Sequence, residues 1–245
     1  MSESQEEMAV RQLPLGIRLK DGNTFDNYLA ASNAQAVACL QAALQDPAMI
    51  YLWGGEGTGK THLLQAACHA AAAKGRPCAY LPLACWQELD AAMLEGLENT
   101  SLVCLDDIAS VAGRTGWETA LFHLYNRLRD AGATLLATGP APPAALPLAL
   151  PDLRSRLAWG MVFQLHPLRD EEKLAGLQQR ARARGLELPE AVGRYLLQHC
   201  PRDMGSLLAI LERLDRASLA ARRRLTIPFV KIVLGARPRK AARHK

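Results

Sequence analysis

Residues 54–61, with the sequence GGEGTGKT, have the composition and spacing of a loop that binds nucleotide phosphates. Glycines let backbone N–H groups approach phosphate oxygens closely. Lys60 is placed to reach the β- and γ-phosphates, and the hydroxyl of Thr61 to bind Mg²⁺. An ordinary glycine-rich turn is the alternative interpretation. The candidate cofactor-binding residues are Gly55, Gly57, Thr58, Gly59, Lys60, Thr61 and His62.

Two carboxylates follow an apolar run at residues 102–105. In a protein with a phosphate-binding loop, an acid at the end of such a strand holds the Mg²⁺ shell, and Asp106 is the candidate. Asp107 is placed to polarise an attacking water, although its side chain is short for this role and favours slow hydrolysis. An acid that only caps the next helix would give the same pattern.

Two further positions carry candidate chemistry. Thr138 ends an apolar segment and is a sensor-like candidate for contact with the γ-phosphate or the water, or a simple turn residue. Arg154 and Arg156 lie in a segment expected at the domain surface. An arginine delivered to a neighbouring subunit's nucleotide accelerates phosphoryl transfer, whereas a surface salt bridge is the alternative role.

These residues must be positioned by strands and helices that alternate along the chain. Ser32 and Asn33 are expected to cap an Ala-rich helix, and a short helix is expected around residues 153–157. The alternation favours an α/β fold in which a parallel sheet lies between helices. Apolar patterns predict strands at residues 48–53, 78–83, 102–105, 134–138 and 161–165, and helices at 62–74, 84–94 and 117–130.

Helical periodicity dominates from Leu168 onward and predicts a small all-α domain of about four helices. Pro189 suits the first turn of one of them. The expected organisation is a mobile leader at residues 1–20, an α/β nucleotide-binding domain at 21–167, a helical domain at 168–235 and a basic tail at 236–245.

The net charge of +5 resides in the tail, because residues 236–245 carry five basic side chains and no acidic one, and the remainder is formally neutral. Such a tail either binds nucleic acid non-specifically or is a solvated end. The absence of a signal peptide and of an apolar run of about 18 residues predicts a cytoplasmic protein without a membrane span. The six cysteines lack C-x-x-C spacing and fit reduced, buried thiols.

Taken together, the phosphate-binding loop, the Asp106–Asp107 pair, the LRSRL segment at residues 153–157 and the helical C-terminal part resemble the DnaA-related AAA+ family. The TFDNY segment at residues 24–28 resembles the start of that family's AAA+ domain. The sequence shows no helix-turn-helix domain after the helical part and no long N-terminal domain, which favours a regulatory member over the initiator. Over residues 10–235 the resemblance implies a P-loop AAA+ domain with a five-stranded parallel sheet, followed by an all-α lid.

The resemblance also implies partners and a role. The QLPLGI segment at residues 12–17 is similar to a motif that binds the β sliding clamp of DNA polymerase III, with Gln12, Leu13, Leu15 and Ile17 as the contact residues. Gly16 and Ile17 stand where family members have bulkier residues, so we expect modest clamp affinity. By the same resemblance Arg156 is an arginine finger offered to ATP on DnaA, and the protein is an inhibitor of DNA replication that self-associates.

The lid departs from the family pattern at the expected sensor arginine, where Gly205 stands; Arg202 is the nearest candidate substitute. This departure predicts that the protein holds ADP rather than cycling ATP, and that it activates the DnaA ATPase instead of hydrolysing ATP efficiently itself. Two alternatives are a helicase-loader-type ATPase and an initiator-like DNA-binding AAA+ module.

Overall fold

The computed structural model describes residue 19 and residues 22–235. Its centre is a parallel five-stranded sheet, as the sequence predicts, in the order β2-β3-β4-β1-β5. Because β1 lies between β4 and β5, the loop that leaves its carboxyl end opens at a point where the strand order reverses, which is where open α/β sheets bind ligands. The strands are β1 (Met49–Trp53), β2 (Cys78–Pro82), β3 (Leu102–Asp106), β4 (Thr134–Gly139) and β5 (Met161–Gln164).

Four helices cover the two faces of the sheet, because neighbouring side chains along each strand point in opposite directions. Tyr51 and Val103 face one buried cluster, which includes residues of α3 and α4. Ile50 and Cys104 face a second cluster, which includes residues of α1 and α2. The helices are α1 (Ala34–Ala43), α2 (Lys60–Ala72), α3 (Thr115–Ala131) and α4 (Pro151–Trp159).

The helix predicted at residues 84–94 is wrong. This stretch forms two 3-10 helices, Leu83–Glu88 and Ala91–Leu94, separated by extended backbone at Leu89 and Asp90. The carboxylate of Asp90 accepts a hydrogen bond from the backbone N–H of Ala92 at 2.9 Å. Aspartate offers the backbone this local alternative to a continuous helix, and so the second turn starts anew at Asp90.

The lid consists of four helices within residues 170–233, in agreement with the sequence prediction: α5 (Asp170–Ala183), α6 (Glu190–His199), α7 (Met204–Ala221) and α8 (Ile227–Val233). It has its own buried cluster, to which Leu177, Leu196 and Leu211 each contribute a fully buried side chain. Pro189 directly precedes α6 rather than lying within its first turn.

The lid contacts the segment that precedes α1. The guanidinium of Arg180 on α5 donates a hydrogen bond to the Asn27 side chain. A Cβ added to Gly176 would lie 2.8 Å from Leu29 Cδ2, so this side chain lies directly against the backbone of α5. The lid therefore packs directly against residues that belong to the nucleotide-binding domain.

Two sequence predictions fall outside the described residues, namely the clamp-binding motif at residues 12–17 and the basic tail at 236–245. Within the described part of the chain, no helix is both long and apolar enough to cross a membrane.

Candidate nucleotide-binding site

The loop between β1 and α2 depends on glycines at three positions. Gly57 and Gly59 adopt left-handed backbone conformations, with φ of 73° and 90°, which glycine accepts at little cost. A Cβ on Gly59 would lie 2.5 Å from Tyr28 Cε2, and one on Gly54 would lie 2.5 Å from the carbonyl oxygen of Leu165. The loop is thus shaped by backbone conformation and by close packing together.

The ammonium group of Lys60 lies inside this loop. It donates hydrogen bonds to the carbonyl oxygens of Gly54 and Gly55 at 2.6 and 2.9 Å. Burial lowers the pKa of Lys60, whereas the carboxylates of Asp107 and Asp106 oppose that shift. An anionic ligand bound in this loop would replace the two carbonyl contacts of the ammonium group.

Asp106, at the end of β3, accepts hydrogen bonds from three hydroxyl groups. Thr61 Oγ1 and Tyr80 Oη both donate to Oδ2 at 2.7 Å, and Thr138 Oγ1 donates to Oδ1 at 2.8 Å. The Thr61 and Thr138 contacts bring together three residues that the sequence singles out from three separate segments. Asp106 is 8% exposed, so these bonds supply the polar contacts that water would otherwise make.

Sequence reasoning did not identify Tyr80. It lies on β2, directly beside β3, and it faces the same side of the sheet as Asp106 because Pro82 pairs with Asp106 in register. Burial raises the pKa of Tyr80, and the Asp106 carboxylate raises it further, so the phenol remains protonated and can donate. Only the register of the two strands could have indicated this contact.

Thr138 also contacts the backbone of Asp107, the residue that follows Asp106. Its Oγ1 accepts a hydrogen bond from the backbone N–H of Asp107 at 2.8 Å. Asp107 adopts a left-handed conformation with φ of 61°, which is uncommon outside glycine. Its carboxylate accepts a hydrogen bond from Ser110 Oγ at 2.6 Å. The two acids therefore have different surroundings. The carboxylate of Asp107 bonds within the 3-10 helix Ile108–Val111 that follows it, whereas the carboxylate of Asp106 bonds Thr61 of the phosphate-binding loop.

A second layer of contacts holds the loop from the side of the N-terminal segment. Tyr28 Oη donates to the carbonyl oxygen of Thr58 at 3.1 Å and accepts from Asn33 Nδ2 at 3.0 Å. Asn33 therefore precedes α1 but does not cap it through its side chain, contrary to the sequence prediction. Its amide instead joins Tyr28 to the backbone of His166 beyond β5.

His62, in the first turn of α2, faces the same N-terminal segment. Its Nε2 lies 2.8 Å from the carbonyl oxygen of Thr24, and its ring centre lies 5.4 Å from that of Tyr28. Burial lowers the pKa of His62, and the positive charge of Arg180 lowers it further. His62 thus positions the covering segment, and any ligand contact by this side chain stays a prediction.

The donor set fits Mg²⁺ held together with a nucleotide. The described residues contain no group of three or more His, Cys, Asp or Glu side chains that could enclose a metal by themselves. Mg²⁺ instead suits a site with one or two protein oxygens, where phosphates and water complete the shell. The hydroxyl of Thr61 and the carboxylate of Asp106 supply such oxygens 2.7 Å apart.

The lid provides no arginine at the expected sensor position. Gly205 lies in the first turn of α7, and the nearest atom to an added Cβ is Asp203 Oδ1 at 3.4 Å. Arg202 directs its guanidinium elsewhere, toward the carbonyl of Leu197 at 3.3 Å and the carboxylate of Asp170 at 3.9 Å. The start of α7 nevertheless approaches the loop, because an added Cβ on Gly57 would lie 3.9 Å from Asp203 Cβ.

Arg156 lies on α4, and its guanidinium group lies against two aromatic rings. Its guanidinium carbon lies 4.5 Å from the ring centre of Trp159 and 5.8 Å from that of Phe122 on α3. Trp159 is 70% exposed, so this cation lies against an aromatic surface open to solvent. No acidic side chain among the described residues forms an ion pair with Arg156.

A parallel sheet with this strand order, a phosphate-binding loop after β1 and a helical lid define an AAA+ protein. The family model of the bacterial DnaA ATPase domain matches residues 19–81 and 86–164, more than half of the chain. The chain therefore belongs to the DnaA-related AAA+ family. The family model of the Hda lid domain matches residues 170–234.

Solved structures show the same architecture. Domain III of DnaA from Thermotoga maritima superposes with a TM-score of 0.73 at 22% identity, covering 89% of this chain and 98% of that one. AMPPCP-bound DnaA from Aquifex aeolicus gives 0.68 at 23% identity, covering 84% and 71%. The RuvB Holliday junction branch migration motor of Thermotoga maritima gives 0.62 at 18% identity, covering 87% and 71%. At these identities the similarity concerns the fold.

Proposed function

We propose that this protein is a nucleotide-bound regulator of replication initiation that acts on DnaA. In this proposal it docks on the DNA-loaded sliding clamp and supplies Arg156 to ATP bound on DnaA. DnaA then hydrolyses that ATP and becomes inactive. The observation that carries the proposal is the guanidinium of Arg156, which contacts exposed Trp159 and has no acidic partner among the described residues.

The nucleotide-binding loop has a supporting role in this proposal. Backbone N–H groups of the loop and the ammonium of Lys60 bind the phosphates of ADP or ATP. Thr61 and Asp106 hold the Mg²⁺, which would neutralise charge on the phosphates. AMPPCP in the similar Aquifex aeolicus DnaA structure supports nucleotide binding at a fold of this kind.

We further propose that ADP is the resident nucleotide. The lid helix α7 approaches the phosphate-binding loop with Gly205 in its first turn, and the guanidinium of Arg202 is committed to Leu197 and Asp170. A lid with glycine at this point lacks the guanidinium that would contact the γ-phosphate from the expected sensor position. ADP then stabilises the fold, while the hydrolytic reaction takes place on DnaA, where Arg156 supplies positive charge to the transition state.

Docking on the clamp would raise the local concentration of this protein near DnaA. The motif with Gln12, Leu13, Leu15 and Ile17 tethers the protein to a clamp on DNA, where DnaA also binds DNA. A tether of this kind raises the encounter rate without adding contacts at the active site. Self-association of the protein would present several copies of Arg156 along one DnaA assembly.

The decisive experiment measures ATP hydrolysis by ATP-loaded DnaA in the presence of DNA-loaded clamp, ADP and this protein. We expect stimulation with the wild type, and loss of stimulation by a factor on the order of 1,000 or more in Arg156→Ala, as for other arginine fingers. Arg154→Ala, on the same helix, is the matched control and should retain stimulation. Stimulation by Arg156→Ala equal to that by wild type would contradict the proposal.

A second variant separates tethering from chemistry. Gln12→Ala combined with Leu13→Ala should abolish capture on immobilised clamp and should reduce stimulation only where the clamp is required. Arg156→Ala should still bind the clamp. Capture of a replicative helicase in place of the clamp would favour the helicase-loader alternative.

A further inference from the structure

The formal neutrality of the folded part hides a separation of charge. Residues 21–167 carry 13 acidic and eight basic side chains, whereas residues 168–235 carry eight acidic and 13 basic ones. The nucleotide-binding domain is therefore net negative and the lid net positive, each by five charges. The excess of basic residues extends from the end of the lid into the tail. Residues 216–245 contain ten basic side chains and no acidic one.

The strongest basic feature of the lid is the turn that follows α7. Arg222, Arg223 and Arg224 are consecutive and exposed, and no acidic side chain among the described residues forms an ion pair with any of them. The backbone of this turn is fixed, since the N–H of Arg222 donates to Leu219 and that of Arg223 to Ser218 at 3.1 Å. Three guanidinium groups without an acidic partner in the described part of the chain thus project from a rigid turn.

Arg222 occupies a conformation that arginine rarely adopts. Its φ is 51° and its ψ 43°, in the left-handed region where glycine or asparagine is the less strained residue at a helix end. Strained backbone positions of this kind cluster at functional sites.

A groove of about 590 Å³ runs beside this turn and is lined on its other side by residues 185–187 and Pro189. Glu187 is the acidic residue of the lining, against three arginines. Leu219, which is 72% exposed, contributes an apolar side chain. The balance of charge in the groove therefore favours an anionic partner.

We propose that this basic turn binds the phosphate backbone of duplex DNA without sequence preference. DNA fits better than an acidic peptide, because residues 216–235 carry five basic side chains and no acidic one, and a phosphate backbone offers an equally continuous anion. Duplex DNA carries about one negative charge per 1.7 Å, and cations that neutralise it release counterions. The partner lies at the lid, on a different part of the molecule from the nucleotide loop.

The test uses the full chain, a fluorescent duplex of about 30 base pairs and anisotropy titrations between about 50 and 200 mM salt, without clamp or DnaA. The triple variant R222Q/R223Q/R224Q should weaken binding on the order of 10- to 100-fold near 100 mM salt. It should also reduce the slope of log affinity against log salt by about 0.9 for each phosphate that the arginines no longer neutralise. The outcome does not depend on the proposed action on DnaA.

Two comparisons make the result specific to the turn. K74Q/R76Q/R129Q removes the same charge from the nucleotide-binding domain and should bind DNA within about twofold of wild type, as expected for cations outside the contact surface. Removal of residues 236–245 should weaken binding further but should leave a measurable effect of the triple variant. If truncation abolishes binding and R222Q/R223Q/R224Q binds like wild type, or if both triple variants weaken binding equally, the proposal is overturned.

Discussion

The guanidinium of Arg156 is stacked 4.5 Å from the ring centre of Trp159, its neighbour one turn further along α4. Residues three apart on a helix share a face, so the indole limits the directions that the arginine can take. Cation–π contacts at exposed sites contribute about 0.5–1 kcal/mol. In the proposed function, Trp159 positions Arg156 for delivery to DnaA.

Replacing Trp159 should weaken stimulation of DnaA ATP hydrolysis without changing clamp capture. From the strength of one exposed cation–π contact, Trp159→Ala should reduce stimulation about two- to fivefold. Trp159→Phe keeps an aromatic face and should retain most of it. A purely structural role would be shown if both variants lost activity together with their resistance to urea unfolding.

Gly59 should tolerate alanine worse than other glycines with a positive φ. Alanine at Gly75, where φ is 67° and nothing lies within 4 Å of an added Cβ, should cost about 1–2 kcal/mol for the left-handed conformation alone. Alanine at Gly59 should cost about 1–3 kcal/mol more, because Tyr28 is held by two hydrogen bonds and cannot move aside freely. The costs of Gly75→Ala and Gly59→Ala are both measured as the decrease in the free energy of unfolding in urea.

The matched test adds Tyr28→Ala to each glycine variant. Removal of the ring should recover the additional cost at Gly59 and should recover nothing at Gly75. Equal costs for Gly59→Ala and Gly75→Ala would show that Tyr28 does not restrict the loop.

Introducing an arginine into the lid should change the nucleotide preference. Gly205→Arg places a cation in the first turn of α7, where an added Cβ would lie 3.4 Å from Asp203 Oδ1. We expect the variant to bind ATP more tightly relative to ADP than wild type does, as measured by calorimetry. Gly205→Ala, which should stabilise the helix by about 1 kcal/mol without adding charge, is the control. An unchanged ratio of ATP affinity to ADP affinity in Gly205→Arg would show that the missing arginine does not set the nucleotide preference.

His62 should make stability decrease as the pH falls below about 6.5. Because burial lowers its pKa from 6.5, the unfolded chain takes up the proton first as the pH falls below 6.5. The free energy of unfolding must then decrease toward acid until the folded pKa is reached. His62→Gln should show a smaller decrease than wild type. An identical decrease in His62→Gln would exclude this contribution.

The parts of the site that are local in sequence could be predicted, and the parts that depend on strand register could not. Lys60 and Thr61 follow directly from the loop motif, and Asp106 follows from an apolar run that ends in acid. Tyr80 and Tyr28 could not be found in this way, because their contacts span 26 and 30 residues. Asp90 shows the opposite failure, in which one local side-chain bond divides a helix that average propensity favours.

Asn33 forms two hydrogen bonds with the backbone of His166, one to its carbonyl at 3.0 Å and one from its N–H at 2.8 Å. The same amide contacts Tyr28, which supports the phosphate-binding loop. The chain is therefore anchored at His166, so a swing of the lid must pivot about bonds between this anchor and the start of α5 at Asp170. Because Tyr28 and the backbone of His166 share the side chain of Asn33, a displacement of Tyr28 would disturb the anchor at His166 as well.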